Sequence, residues 1–263
     1  MLTQQEWEKI NDIISNINGI KSLTAMRTAF LQKLMQLIDF DFSDFNLGQQ
    51  RGRTLPALVD PVVVSRFSKK FEETFTAQYQ NKFSELDYVK WVFSSPESLV
   101  YRESDLVNDE VRKKSTFYLD YLAPSTLVQV AGISIISGGI FVGAVTIYRT
   151  SQKDDFSEKD LYILQQLLPH LQNKLSLEQE RTENNIRSVS YLLCHHYGLT
   201  EREVEIIGHV YKGLSNLEIA TALKITSNTV KKHITKIFDK LQVRSRTLLI
   251  RFLIENQLNT LWQ

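Results

Sequence analysis

Apolar residues recur every three or four positions in some stretches of this chain and at alternate positions in others, which divides it into helical and extended segments. Thr3 and Glu6 form a capping box ahead of Trp7, Ile10, Ile14 and Ile17, so a first helix is expected to end at Asn18-Gly19. Met26, Phe30, Leu34 and Leu37 predict a second helix over residues 22–38. Phe40, Phe42, Phe45 and Leu47 alternate imperfectly and read as a strand, and residues 58–64 read as another, with Pro61 placing it at an edge or a bulge. Phe67, Phe71 and Phe75 restore helical spacing across 65–83, a stripe that suits core packing better than a cofactor box. Ser94-Ser95-Pro96 then breaks the pattern before Leu99-Val100-Tyr101, and the charged segment 102–115 is expected to be partly helical.

Residues 127–148 carry no charge and are long enough to span a bilayer as a helix. They are also dense in β-branched residues, with Gly138-Gly139 at the middle, so two strands joined by a Gly-Gly turn are the expected structure. A helix should follow from Ser157 to about Gln179, kinked by Pro169. In it Leu161, Leu164, Leu168, Leu171 and Leu175 keep the three-four rhythm of a coiled-coil seam. The same rhythm serves a helix that covers a sheet; the homodimer seam is the preferred expectation. Residues 178–187, charged and poor in apolar side chains, are expected to form a hinge.

Beyond it, the pattern becomes a series of four short helices. Thr200 with Glu203 and Ser215 with Glu218 are capping boxes, and Lys212-Gly213 is a helix stop between them. Thr226-Ser227 opens a third helix in which Val230, Ile234, Ile237, Phe238 and Leu241 share one face while Lys231, Lys232, Thr235 and Lys236 project from the other. Ser245 opens the fourth. A short helix, a tight turn and a second helix with an apolar back and a basic front is a helix-turn-helix pattern, whose second helix enters the major groove. His233, between the two faces, suits a hydrogen-bonded anchor better than a titrating switch.

The segment from Leu199 to Arg246 resembles the LuxR-type helix-turn-helix domain of bacterial transcription regulators. The resemblance rests on Leu199-Thr200-x-Arg202-Glu203, Gly213-x-Ser215-Asn216-x-Glu218-Ile219-Ala220, Thr229-Val230-Lys231-x-His233 and Lys240-Leu241-x-Val243-x-Ser245-Arg246. It implies that Lys231, Lys232 and Thr235 face base edges, and that Ser215, Asn216, Asn228, Thr229 and Lys236 approach phosphates. The segment "WVFSSPESLVYRESDLV" followed by "VAGISIISGGIFVGAVTIYR" and "DFSEKD" resembles the sensor half of such regulators, a GAF-like or PAS-like antiparallel sheet with flanking helices. The expected fold is therefore α+β, with a sensor and dimerisation domain over 1–177, a linker over 178–195 and an all-α four-helix domain over 196–263. The acyl-homoserine lactone branch of the family carries Trp and Tyr shortly upstream of an Asp-Pro pair. Here Asp60-Pro61 has no Trp or Tyr between it and Trp7, so that pattern is missing.

Charge sharpens the picture. The net charge of +1 conceals ten Lys+Arg against six Asp+Glu from residue 196 onward, so positive charge concentrates on the segment expected to meet phosphates. The hydrophobic fraction of 43% supports a real core, and the single cysteine, Cys194, fits a reducing cytosol. His195 and His196 beside it point about a hundred degrees apart on a helix, which does not make a metal site. The amino terminus shows no signal-peptide pattern. No phosphate loop, zinc-protease motif or nucleophile elbow is present, so an enzyme is not expected. The expectation is a cytoplasmic, nucleoid-associated homodimer that binds double-stranded DNA, with RNA polymerase as a further partner, no membrane association and no cofactor, and with a small-molecule effector of unassigned identity. A docking module built on the four-helix domain is the alternative. Tyr88, Trp91, Tyr101 and Tyr118 suit a pocket lining, but aromatic residues near a sheet are usually core, and none is assigned to a ligand.

Overall fold

Thr3 caps helix α1 (Gln4–Gly19) as its sequence predicts, with the Glu6 side chain returning to the Thr3 amide at 2.8 Å. This computed structural model describes residues 2–49 and 56–262. The chain divides into two units, Met1–Leu177 and Glu178–Gln263.

In the first unit, α1 and α2 (Leu23–Leu34) precede a five-stranded antiparallel sheet made of β1 (Phe42–Gln49), β2 (Ala57–Ser65), β3 (Leu99–Arg102), β4 (Leu127–Ser137) and β5 (Ile140–Thr150). The spatial order is β2-β1-β5-β4-β3. Gly138 and Gly139 take φ of 55° and 77°, the left-handed geometry a two-residue hairpin needs, so the uncharged stretch is a hairpin. No helix among the described residues is long and apolar enough to cross a membrane. Pro61 sits in β2, an edge strand, where its missing N–H costs no ladder bond. The register slips there, Phe45 pairing with Val62 and Leu47 with Val59, and Asp60 takes a φ of 50°. Arg27 of α2, fully buried, holds this bulge by donating to the Asp60 carbonyl at 2.6 Å and the Asp60 carboxylate at 2.5 Å.

The imperfect alternation of β1 has a simple cause: the sheet is covered on both faces. Phe45, Ile133, Val145 and Ile147 join one core with α1, α2 and the first half of α7 (Glu158–His195). Phe42, Val130 and Tyr148 join another on the opposite face, with Phe75, Phe117 and Tyr121. The second face is covered by α3 (Lys69–Gln78), α4 (Glu103–Leu106), α5 (Asp109–Arg112), α6 (Ala123–Ser125), and two π-helical turns, Tyr79–Phe83 and Tyr118–Leu122. The helix expected over 65–83 is thus an α-helix that ends in one such turn. The expected antiparallel sheet with helices packed on it, an α+β arrangement, is present.

Two expectations for α7 need correction. Leu164, Leu168, Leu171 and Leu175 are buried in the core of the first unit and Leu161 packs against it, so these leucines cover their own sheet. Both uses demand the same spacing, and the uncovered face of β1, β4 and β5 decides between them. Second, the backbone is helical through 178–195, past Pro169 and across the stretch read as a hinge, and Val189 and Leu193 belong to the core of the second unit.

Candidate nucleic-acid interface

The second unit is assembled from capped helices α8 (Glu201–Tyr211), α9 (Asn216–Leu223), α10 (Ser227–Leu241) and α11 (Arg246–Glu255). Thr200, Ser215, Thr226 and Ser245 cap them in turn, each hydroxyl accepting an amide N–H from the first turn. Gly213, with φ of 80°, follows α8, and Lys224 in the left-handed conformation makes the tight turn between α9 and α10. That turn sets α10 across α9, and Val230, Ile234, Ile237 and Leu241 are buried beneath it.

Three polar clamps hold the unit. Glu203, almost wholly buried, accepts from the Thr200 amide at 2.8 Å and from Lys240 Nζ at 2.7 Å, tying α8 to α10. Burial pushes its carboxyl up, but the ammonium of Lys240 and the Thr200 amide outweigh burial and hold it below the ordinary value of 4.5. Arg246 donates to the Leu214 carbonyl at 2.6 Å and to Asn216 Oδ1 at 2.5 Å, tying α11 to the start of α9. Arg202 reaches the Leu223 carbonyl at 3.0 Å. Sequence reasoning gave Glu203 its capping-box role but none of the contacts between helices made by Arg202, Lys240 and Arg246, although all four residues fall in the quoted motif. Their letters were visible; which carbonyl or carboxylate each would meet depends on how four helices cross.

With α10 held by its buried face, Lys231, Lys232, Thr235 and Lys236 are exposed on the opposite one. Thr235 Oγ1 donates to the Lys231 carbonyl at 3.1 Å, which leaves its lone pairs and methyl outward. Asn228 is exposed at the amino end of the helix, while Thr229 is half-buried with its hydroxyl 2.8 Å from that of Thr226. Ser215 is exposed and spends an acceptor on the Glu218 amide, so its O–H can still donate to a phosphate. Asn216 is half-buried and engaged by Arg246, an added structural duty for a residue expected at the phosphate backbone. His233 lies half-buried between the faces.

The partial positive charge of the free amides in the amino-terminal turns of α9 and α10 favours phosphate. A capped short helix, a left-handed turn and a longer helix with an exposed basic face constitute a helix-turn-helix domain. Residues 198–253 match the family described as "Bacterial regulatory proteins, luxR family", so this part of the chain is a LuxR-type helix-turn-helix domain.

Among known proteins, the response regulator protein VraR of Staphylococcus aureus is 47% identical over 60 residues, 23% of this chain and 29% of that protein. The chain therefore spans under a third of the length of that relative. Over the whole chain the structure is similar to SdiA of Escherichia coli, 15% identical with a TM-score of 0.46, covering 96% of this chain and 98% of that one. The GAF domain of an Acinetobacter phosphoenolpyruvate-protein phosphotransferase is 12% identical with a TM-score of 0.46, over 69% of this chain and 99% of that domain.

Proposed function

We propose that the protein is a sequence-specific DNA-binding transcriptional regulator, acting as a homodimer whose amino-terminal unit senses a small molecule. The observation that carries this reading is the exposed row Lys231, Lys232, Thr235 and Lys236 on a helix whose other face is locked in a core. Lys231 and Lys232 suit guanine O6 and N7, and Thr235 suits a base edge or thymine methyl. Ser215, Asn228 and Lys236, with Asn216 and Thr229 behind them, suit phosphates. A monomer of this size reads too few base pairs for a unique site, and two copies addressing half-sites about 34 Å apart on one face of the duplex would read a palindrome. Such a protein works in the cytoplasm on double-stranded DNA, and contact with RNA polymerase fits an operator beside a promoter. A ligand held in the first unit would alter occupancy by favouring one arrangement of the dimer over another.

The test is a selection of bound duplexes from a random pool, followed by mobility-shift titration of the selected site. The double variant Lys231→Ala, Lys232→Ala should lose selectivity, about 1–3 kcal/mol for each base contact removed. Equal affinity and equal selectivity in the two proteins would remove α10 as the reading element.

A further inference from the structure

The face of the sheet turned away from α1 and α2 encloses a cavity of about 40 Å³. Three carboxyl groups, Asp44 of β1, Asp87 and Glu103 of α4, line it, and no Lys, Arg or His does. Tyr79, Tyr121 and Tyr148 are among its aromatic walls, Tyr79 and Tyr121 each coming from a π-helical turn, a feature frequent at functional sites. Tyr101 fits against the sheet because its neighbour on β4 is Gly132, where an added Cβ would lie 3.0 Å from the Tyr101 hydroxyl and 2.5 Å from the Val145 carbonyl.

The acids are answered mostly by neutral donors. Asp44 accepts from Asn46; Asp87 accepts from the Tyr79 hydroxyl at 2.8 Å and the Val89 amide at 3.0 Å. Glu103 accepts from Tyr88, with the Arg112 guanidinium at 3.7 Å, and Arg112 also serves Asp109 at 2.9 Å. Lys90 lies near Asp87, but its ammonium bonds Glu85 at 2.6 Å. Burial is the leading cause that raises Asp44 to about 7 and Glu103 to about 7, and it raises Asp87 as well. A carboxylate in such a place must be neutralised by a proton or by a cation.

We propose that this cavity binds a small protonated amine, its charge met by the carboxyl groups that line the cavity and its alkyl part by the surrounding rings. The inference deepens the sensor reading above and rests on it. A metal ion is disfavoured by geometry, since no group of three or more His, Cys, Asp or Glu among the described residues is arranged to hold one. Aromatic rings beside acids suit an organic cation, whose charge gains from both. The cavity is small, which favours a compact amine over a long-chain one. Because an ammonium beside these acids favours their ionised form, binding near neutral pH releases protons.

Calorimetric titration of the full chain with ethylammonium, neutral ethanol, acetate and N-butanoyl-homoserine lactone, in two buffers of different ionisation enthalpy, tests the assignment. Ethylammonium alone should bind, with proton release, and Asp87→Asn and Glu103→Gln should each weaken it by about tenfold or more while the protein stays folded. Lys212→Ala, at an exposed residue of the second unit, should bind it as wild type does. Binding of the lactone or ethanol in preference to ethylammonium overturns the amine and leaves the sensor reading intact. Silence from all four compounds overturns the amine as well. Ethylammonium binding that leaves affinity for the selected DNA site unchanged upholds the amine and overturns the sensor reading.

Discussion

The two units use ionic side chains in opposite ways. In the second, Lys231, Lys232 and Lys236 stand in solvent, and the deeply buried acid Glu203 is paired with Lys240. In the first, Asp44, Asp87 and Glu103 are turned into a cavity that no basic residue lines. The contrast teaches where each unit keeps its free energy of interaction. A surface row of cations is stable without a partner and awaits a polyanion; carboxyl groups answered mostly by neutral donors in a cavity favour a proton or a cation beside them. The pH dependence of the two units should differ accordingly. Asp44, raised from 3.8 to about 7, binds more protons folded than unfolded, so its contribution to stability falls as pH rises from about 4 to about 7. Glu203, lowered below 4.5, has the reverse effect: its contribution is present above that value and is lost as pH falls through the folded pKa. Asp39 and Asp41 of the first unit are also lowered, by Lys153 against the opposing effect of burial, so the contrast is clearest between about pH 5 and pH 8.

The largest expected effect is on the buried face that makes the cationic one possible. Ile237→Ala should destabilise the second unit by about 2–5 kcal/mol in urea titration followed by circular dichroism; a change under 1 kcal/mol would mean that α10 is not held as described. Next, Asp44→Asn should flatten the fall in stability of the first unit between about pH 5 and pH 8, a slope of at most about 1.4 kcal/mol per pH unit for one proton. An unchanged slope in thermal melts of the variant would show that Asp44 is ionised throughout. Glu203→Ala removes a capping partner and strands Lys240, and a loss of about 1–3 kcal/mol is expected from melts at neutral pH. Smallest in stability is Lys236→Ala, which should leave melting unaltered, weaken every duplex alike and reduce the salt slope of DNA binding by about 0.9. A change of base preference in that variant would move Lys236 from the phosphate row to the reading row.

Much of the second unit was legible because its instructions are local. Thr200, Ser215 and Thr226 act on amides three residues away, and the stripe from Val230 to Leu241 faces inward whatever the partner. The hairpin of β4 and β5 was legible for the same reason, the two glycines lying between its strands. The leucines of α7 were not. Their spacing states only that one face is apolar, and the sheet that claims them comes from strands more than a hundred residues upstream as well as from adjacent ones.

The cavity was less legible still. Tyr101 could be suspected from its chemistry, but Asp44 sat in an imperfect alternation with no sign that its face would be closed over, and Asp87 and Glu103 lie in segments with no regular pattern. By itself the sequence determined where helices begin and stop, which face of α10 is buried and which cations are left outside, since those follow from contacts within one or two turns. Only the tertiary structure decided that acids from three distant segments meet in one enclosed space, that the α7 leucines serve their own sheet, and that Arg246 secures Asn216. Such meetings depend on strand order and on how helices cross, and neither is written in the spacing of any single segment.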